Sequence, residues 1–87
     1  MFSIHYSTQA EKFLKKCDRN IAKRLLDKIK TLMTNPFPQN MKRLKDKNLF
    51  RIRIGNYRAL YLVYEKDKIV LIIKIDKRPR AYDFPKQ

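Results

Sequence analysis

Four arginines and one tyrosine in the second half of the chain have the types and spacing needed to hold a phosphodiester. Arg51 and Arg53 alternate with apolar residues, and because strand side chains point alternately to opposite faces, both are expected on one face of a sheet. Arg58 follows a Gly-Asn pair, and Arg78 and Tyr82 lie near the carboxyl end. Guanidinium groups bind phosphate oxygens through paired hydrogen bonds. The pattern therefore predicts a polyanionic partner and points to nucleic acid.

Cleavage of RNA is a reaction that such residues can support. RNA carries its own nucleophile, the 2′-hydroxyl, so a protein needs only to align the strand, neutralise charge on the phosphate and manage two proton transfers. Tyr82, beside Arg78 and Arg80, is the candidate for proton transfer, because neighbouring positive charge favours a phenolate. A packing role for Tyr82 at the carboxyl-terminal end is an equally good interpretation at this point.

The remaining inventory excludes several other kinds of site. With one histidine, His5, and one cysteine, Cys17, the chain has too few ligands for a His/Cys metal centre. The eight carboxylates show no paired pattern for two-metal chemistry, and one glycine cannot build a phosphate-binding glycine loop. No metal and no other cofactor is therefore expected. His5 is better explained as a structural or surface residue.

Charge and composition indicate the kind of partner. The net charge is +14, from 22 Lys and Arg against 8 Asp and Glu, while a hydrophobic content of 44% is that of a globular chain. Such a charge favours a polyanion or an acidic protein as partner over the alternative of a merely solvated lysine-rich surface. Residues 36–60 hold seven basic residues and one acidic residue, so the site is expected there.

Location and domain number follow from the same inventory. A single cysteine cannot form an intrachain disulfide, which fits a reducing, cytoplasmic location. The sequence shows no signal-peptide pattern, and its longest apolar run is too short to cross a bilayer, so no membrane partner is expected. Residues 1–87 are expected to form one domain.

The elements that must position these residues follow from hydrophobic periodicity. An alternating pattern at residues 2–6 predicts a short strand, and Thr8 with Glu11 matches a capping box, which places a helix start at Ser7 or Thr8. A helical stripe continues to Thr34 with one interruption, so two helices or one bent helix are expected. Further strands are predicted at about residues 49–54, 57–64 and 68–76, with Gly55-Asn56 as a hairpin turn.

The predicted fold class is α+β, with two amino-terminal helices packed on a mainly antiparallel four-stranded sheet in the order β-α-α-β-β-β. The strand at 68–76 is apolar on both faces over residues 69–73, which is typical of a central, covered strand, here between the preceding strand and the amino-terminal one. Which of its faces meets the helices is open. The core is expected to join a helical set to a sheet set: Phe13, Leu14, Ile21, Leu25, Ile29 and Leu32 against Ile52, Ile54, Ile69, Leu71 and Ile73.

Residues 39–48 are expected to form an irregular connection, because Pro38 disfavours regular structure after the helices. Leu44 is a candidate anchor to the core. The connection also carries four cations: Lys42, Arg43, Lys45 and Lys47.

Three segments, in this order along the chain, resemble the RelE/ParE toxin superfamily. They are Lys-Arg-Leu-Lys at 42–45, Phe-Arg-Ile-Arg-Ile-Gly-Asn-Tyr-Arg at 50–58 and Lys-Arg-Pro-Arg-Ala-Tyr at 77–82. The likeness covers essentially the whole chain and is greater to the RelE branch of type II toxin–antitoxin systems. The resemblance implies a small, metal-independent cytoplasmic ribonuclease that enters the ribosomal A site, cuts messenger RNA and is silenced by a RelB-like antitoxin.

The resemblance also implies a role for each residue that matches the family pattern. Arg51 and Arg53 match paired basic positions that contact the scissile phosphate, and Arg58 matches an arginine that stabilises the transition state. Arg78 matches an arginine proposed as proton donor or phosphate clamp, and Tyr82 a tyrosine proposed to activate the 2′-hydroxyl. RNA or ribosome binding is expected of the remaining cations: Lys42, Arg43, Lys45, Lys47 and Arg80.

The chain departs from the family pattern at two places. The paired positions are often lysine in the family, and because arginine barely exchanges protons at neutral pH, Tyr82 becomes a better candidate for the base than Arg53. Lys77 stands where many relatives have histidine. Two alternatives remain: a ParE-like inhibitor that binds DNA gyrase without cutting RNA, and a non-catalytic ribosome-binding module. A gyrase binder would not require the full set of arginines and tyrosine.

Overall fold

The computed structural model describes residues 1–44 and 48–78, which contain two α-helices and five β-strands. A short 3₁₀ turn, Thr31–Met33, extends the second helix. In chain order the elements are β1 (Ser3–Tyr6), α1 (Thr8–Lys16), α2 (Arg19–Lys30), β2 (Met41–Arg43), β3 (Leu49–Ile54), β4 (Tyr57–Tyr64) and β5 (Ile69–Lys77).

Capping side chains divide the helical region into two helices. Ser7 is the N-cap of α1, where its hydroxyl accepts a hydrogen bond from the Ala10 backbone N–H at 3.1 Å. The helix ends at Cys17, and Asp18 caps α2 by accepting from the Asn20 N–H at 2.8 Å. Neither helix is long and apolar enough to cross a membrane.

The sheet has the strand order β1-β5-β4-β3-β2, with β1 parallel to β5 and every other neighbouring pair antiparallel. This confirms the α+β class and the place of β5 between β4 and β1. The predicted count of four strands is wrong, because Met41–Arg43 pairs with Phe50–Ile52 as a fifth strand at the sheet edge. A three-residue strand is too short to show a period of two, so the connection around it was predicted to be irregular.

The core lies between the helices and one face of the sheet. The helical residues Leu25, Ile29 and Leu32 are fully buried, and Phe13, Leu14 and Ile21 pack against them at the margin. The face expected for β5 is wrong: its buried residues are Val70, Ile72 and Ile75, while Ile69, Leu71 and Ile73 are half-exposed on the other face. Both faces of β5 are apolar, so hydrophobicity could not choose between them.

A β-bulge in β5 shifts the phase of its side chains halfway along. Leu60 lies opposite Lys74 and Tyr61 opposite Ile72, so Ile73 is an extra residue without a direct partner on β4. Beyond it Ile75 points into the core, and the residues on either side of Ile75 therefore point outward.

Side chains from the start of α1 continue the edge of β5 where β1 has ended. The Ser7 hydroxyl donates to the carbonyl of Ile73 at 2.8 Å. The Gln9 amide donates to the carbonyl of Ile75 at 3.1 Å and accepts from its N–H at 3.0 Å. These contacts satisfy backbone groups that a longer β1 would otherwise pair.

Candidate functional site

The β3–β4 hairpin places the basic residues of the candidate site on the face of the sheet that the helices leave open. Gly55 adopts a left-handed φ of +61° in the two-residue turn, as the Gly-Asn pair predicted. Arg53 lies directly opposite Arg58 in the β3–β4 register, so both side chains leave the same face. Ile52 and Ile54 are buried on the other face, which confirms the predicted alternation.

Four of the predicted catalytic residues meet around one cavity. Arg51, Arg53, Arg58 and Arg78 line a space of about 60 Å³. Arg78 reaches it because its backbone N–H donates to the Asn56 carbonyl in the hairpin turn at 2.8 Å, which ties the end of β5 to the β3–β4 turn. The geometry brings side chains separated by up to 27 positions in sequence to one point. Such a cluster can bind a phosphate group through paired N–H donors.

Asp76 adds a carboxylate that the sequence analysis missed. It lies opposite Arg58 on β5, with Arg58 Nε 2.8 Å from Asp76 Oδ1 and Arg58 Nη2 3.4 Å from Asp76 Oδ2. The side chains of Arg58 and Asp76 are 21% and 26% exposed, so the pair is largely shielded from solvent. Lys74 Nζ approaches Asp76 Oδ2 at 3.9 Å. The alternating polar positions Lys74 and Asp76, which follow the apolar run of β5, were the signal available in the sequence.

A second, larger cavity of about 330 Å³ adjoins the first and shares Arg51 and Arg53 with it. Lys42 is directly opposite Arg51 across β2 and β3, so the basic face continues to the sheet edge. The other lining residues are Gln39, Asn40 and Met41, of which the two amides were not singled out from the sequence. Amide side chains offer both a donor and an acceptor, as the edges of nucleic acid bases do.

The other predicted binding residues are not part of these cavities or are not described. Arg43 lies opposite Phe50, and its guanidinium carbon is 5.4 Å from the centre of that ring, a cation–π contact away from both cavities. Its predicted role in binding stays a prediction. Four predicted site residues lie outside the described residues: Lys45, Lys47, Arg80 and Tyr82.

Among the described residues, the four arginines that line the cavity can supply positive charge but are poor groups for proton transfer. Arginine stays protonated at neutral pH, so Arg51, Arg53, Arg58 and Arg78 can bind and polarise a phosphate but can barely exchange a proton. Within residues 1–44 and 48–78, no three His, Cys, Asp or Glu side chains are grouped so that they could hold a metal ion.

Comparisons with known proteins identify the family of the chain. A family model described as the ParE toxin of the type II toxin–antitoxin system parDE matches residues 4–82. A Methanocaldococcus jannaschii protein that carries the name toxin RelE1 is 36% identical over 88 residues, covering 97% of this chain and 98% of that protein.

Solved structures of RelE proteins resemble this chain in fold. RelE in the RelE–RelB complex of Pyrococcus horikoshii superposes with a TM-score of 0.82 at 28% identity, over 91% of this chain and 97% of that one. Isolated Escherichia coli RelE superposes with a TM-score of 0.84 over 95% of this chain and 93% of that one, and at 20% identity this is a likeness in fold alone. The chain therefore belongs to the RelE/ParE family of toxins of type II toxin–antitoxin systems.

Proposed function

We propose that this protein is a ribosome-dependent endoribonuclease, which cleaves messenger RNA in the ribosomal A site with the 2′-hydroxyl as nucleophile and without a metal ion. The cavity formed by Arg51, Arg53, Arg58 and Arg78 carries the proposal. A water molecule needs roughly 10–15 Å³ of such space, so the volume of about 60 Å³ could hold roughly four or five waters. That is close to the size of one phosphate group. Guanidinium groups around that phosphate would stabilise the charge that develops during the attack.

The adjoining cavity supports a single-stranded RNA substrate. At about 330 Å³ it is in the size range of sites that hold small organic molecules, so a nucleoside fits beside the phosphate. Gln39 and Asn40 can hydrogen-bond to an exposed base edge, and Lys42 can contact a neighbouring phosphate. Bases are exposed in this way in single strands rather than in a duplex.

Proton transfer is assigned to Tyr82, since the four arginines are poor proton donors and acceptors. In this scheme Tyr82 takes the proton of the 2′-hydroxyl, while Arg58 stabilises the transition state. Arg78 clamps the phosphate or protonates the leaving oxygen. The match of Tyr82 to the family pattern supports this assignment.

The small size of the domain supports the proposed dependence on the ribosome. Cleavage requires the 2′-oxygen, the phosphorus and the leaving oxygen to lie in line, and one small sheet offers limited means to bend a strand into that geometry. The ribosomal A site can supply this positioning, and cations at the sheet edge would contact ribosomal RNA. We also propose that the protein is cytoplasmic, because the ribosomes that it is proposed to enter are there.

A RelB-like antitoxin is the proposed protein partner. Relatives of the same fold were solved with RelB, among them the Pyrococcus horikoshii protein. A net charge of +14 makes the free protein prone to bind any RNA, so an acidic segment over the Arg51 and Arg53 face would keep it inactive. Apolar anchors on an amphipathic helix would supply most of the affinity. Silencing follows either from filling the cavity or from making the domain too bulky for the A site.

The family description names ParE, which makes gyrase inhibition the second candidate function. Induction of the protein in cells, followed by mapping of messenger RNA ends, distinguishes the candidates. We expect cuts confined to translated frames, and far fewer from an induced Arg58→Ala variant. Intact messages with DNA breaks from poisoned gyrase would establish the ParE-like activity instead. Intact messages with arrested translation would indicate a non-catalytic ribosome-binding module.

A further inference from the structure

Asp76 places a carboxylate against an arginine to which the proposed function gives a catalytic role. The contact uses the Nε–Nη2 edge of Arg58, with distances of 2.8 Å and 3.4 Å to the two carboxylate oxygens. A guanidinium is planar and rigid, so holding one edge fixes the direction of its other N–H groups. Arg58 also lines the arginine cavity. The carboxylate therefore decides how Arg58 is presented there.

We propose that Asp76 is a positioning residue: it holds the Arg58 guanidinium in the orientation needed for phosphate before RNA arrives, and does not itself touch the reacting atoms. The proposal rests on the proposed function for its effect on catalysis. Its structural part, that Asp76 immobilises Arg58, stands on the contact alone. An arginine on a flexible stem that is already oriented loses less freedom when the transition state forms.

The bulge in β5 is what brings Asp76 to this position. Without the extra residue at Ile73, strict alternation would place Asp76 on the same face as the buried Val70 and Ile72. With it, Asp76 faces outward and lies opposite Arg58. Gln9 holds the strand in this phase through its two hydrogen bonds to Ile75.

The Asp76 carboxylate has opposite effects on the binding of RNA and on the rate of cleavage. Its negative charge lowers the attraction of the cavity for a phosphate in the ground state, while its contact orients Arg58 for the transition state. Asp76→Asn keeps the shape and removes the charge. We expect kcat to fall about 10–100-fold, the scale of a misplaced catalytic group, while KM stays unchanged or falls.

A double-mutant cycle tests whether Asp76 acts through Arg58. The parent, Asp76→Asn, Arg58→Ala and the double variant are compared for cleavage of messenger RNA on programmed ribosomes. In the Arg58→Ala background, Asp76→Asn should change kcat by less than about twofold. Asp76→Glu, which restores a carboxylate, should recover part of the lost kcat. An equal loss of kcat in both backgrounds would overturn the proposal.

Asp67→Asn is the matched control for charge. It makes the same change in net charge in the β4–β5 turn, six residue pairs from the Arg58–Asp76 contact and so about 20 Å along the strands. It should leave kcat unchanged. A fall in kcat like that of Asp76→Asn would assign the effect to net charge and contradict positioning.

A second measurement needs neither ribosome nor RNA. In ¹⁵N NMR spectra of the free protein, exchange of the Arg58 Nε–H with water should be slow in the parent and in Asp67→Asn. It should be at least about 10-fold faster in Asp76→Asn, because the amide offers one uncharged acceptor oxygen in place of a carboxylate and the paired contact with the guanidinium is weakened. Unchanged exchange would refute the positioning role. A parent that fails to cut messenger RNA would refute the proposed function while this result still stood.

Discussion

Arg53 and Arg58 lie directly opposite each other across β3 and β4, with their side chains on the same open face. Like charges at directly opposite positions of an antiparallel pair are destabilising, and the contact of Arg58 with Asp76 offsets only part of that repulsion. The hairpin therefore keeps an unfavourable pair at the centre of the candidate site. An anion between the two guanidinium groups relieves the repulsion, which links the stability of this region to occupancy of the cavity.

Replacing Arg53 should separate stability from activity. Arg53→Ala removes one of the two opposed charges, so the free energy of unfolding should rise by about 0.2–1 kcal/mol while RNA cleavage falls. Urea denaturation at low ionic strength measures the first effect. Lys66→Ala, which removes a charge in the exposed β4–β5 turn, should show neither change. A loss of stability in Arg53→Ala would show that Arg53 makes net favourable contacts.

The role of Tyr82 is tested by removing one hydroxyl. Tyr82→Phe should retain ribosome affinity while the single-turnover cleavage rate falls by about 10²–10⁴, the usual contribution of a general acid–base group. Tyr64→Phe makes the same change at an exposed tyrosine of β4 and should cleave at the parental rate. Parental cleavage by Tyr82→Phe would make Tyr82 a packing residue.

Lys42 should contribute to binding and not to chemistry. Lys42→Ala should weaken RNA or ribosome binding and reduce the slope of log affinity against log salt by about 0.7, the value for one phosphate contact to a single strand. The cleavage rate at saturation should be unchanged. Titrations at several salt concentrations measure the slope, and Lys12→Ala on the exposed side of α1 serves as the control. A lower saturated rate would place Lys42 in the catalytic machinery.

Association with the antitoxin should depend on salt through its rate of formation. Raising salt from about 50 mM to about 500 mM should slow association far more than it speeds dissociation, because screening acts on electrostatic steering. Stopped-flow mixing with the cognate antitoxin measures both rates, and the Arg51→Ala/Arg53→Ala double variant should be less sensitive to salt. A basic partner, or an association rate indifferent to salt, would leave only apolar contacts as the basis of recognition.

Tyr61 gives the fold a dependence on alkaline pH. Burial raises the pKa of Tyr61 above its ordinary value of 10.0, and its hydroxyl donates to the Pro36 carbonyl at 2.8 Å. Above about pH 10 the unfolded chain releases this proton while the folded chain keeps it, so the free energy of unfolding should fall as pH rises further. Below that pH the contribution is constant. Tyr61→Phe should be less stable by about 0.5–1.5 kcal/mol at neutral pH but should lose less stability above pH 10 in urea titrations. An identical decline in both proteins would assign the effect to other groups.

The arginine face could be predicted from sequence because local rules determine it. Arg51 and Arg53 alternate with residues of the core, and one Gly-Asn pair sets the hairpin that brings Arg58 opposite Arg53. A single choice of buried face then orients every side chain of β3. The residues around the cavity follow from that choice, apart from Arg78, whose place depends on the Asn56 contact.

Which side chains of β5 face the core could not be predicted, because the contacts that decide it involve residues elsewhere in the chain. Both faces of the strand are apolar, and the bulge at Ile73 depends on pairing with β4 and on hydrogen bonds from Ser7 and Gln9. The contact between Asp76 and Arg58 was missed for the same reason. The edge strand β2 was not predicted, because its three residues are too few to show an alternating hydrophobic pattern.

The hydrogen bonds from Gln9 to Ile75 join residues 66 positions apart, and the parallel pairing of β1 with β5 spans a similar separation. Contacts this distant in sequence form only after most of the chain has been synthesised. The strand that carries Asp76 and leads to Arg78 is also the last strand in the part of the chain that the structure describes. A nascent copy therefore cannot assemble the four-arginine cavity before Arg78 has been added to the chain. For a protein proposed to attack translating ribosomes, this order would delay the activity of a copy that is still being synthesised.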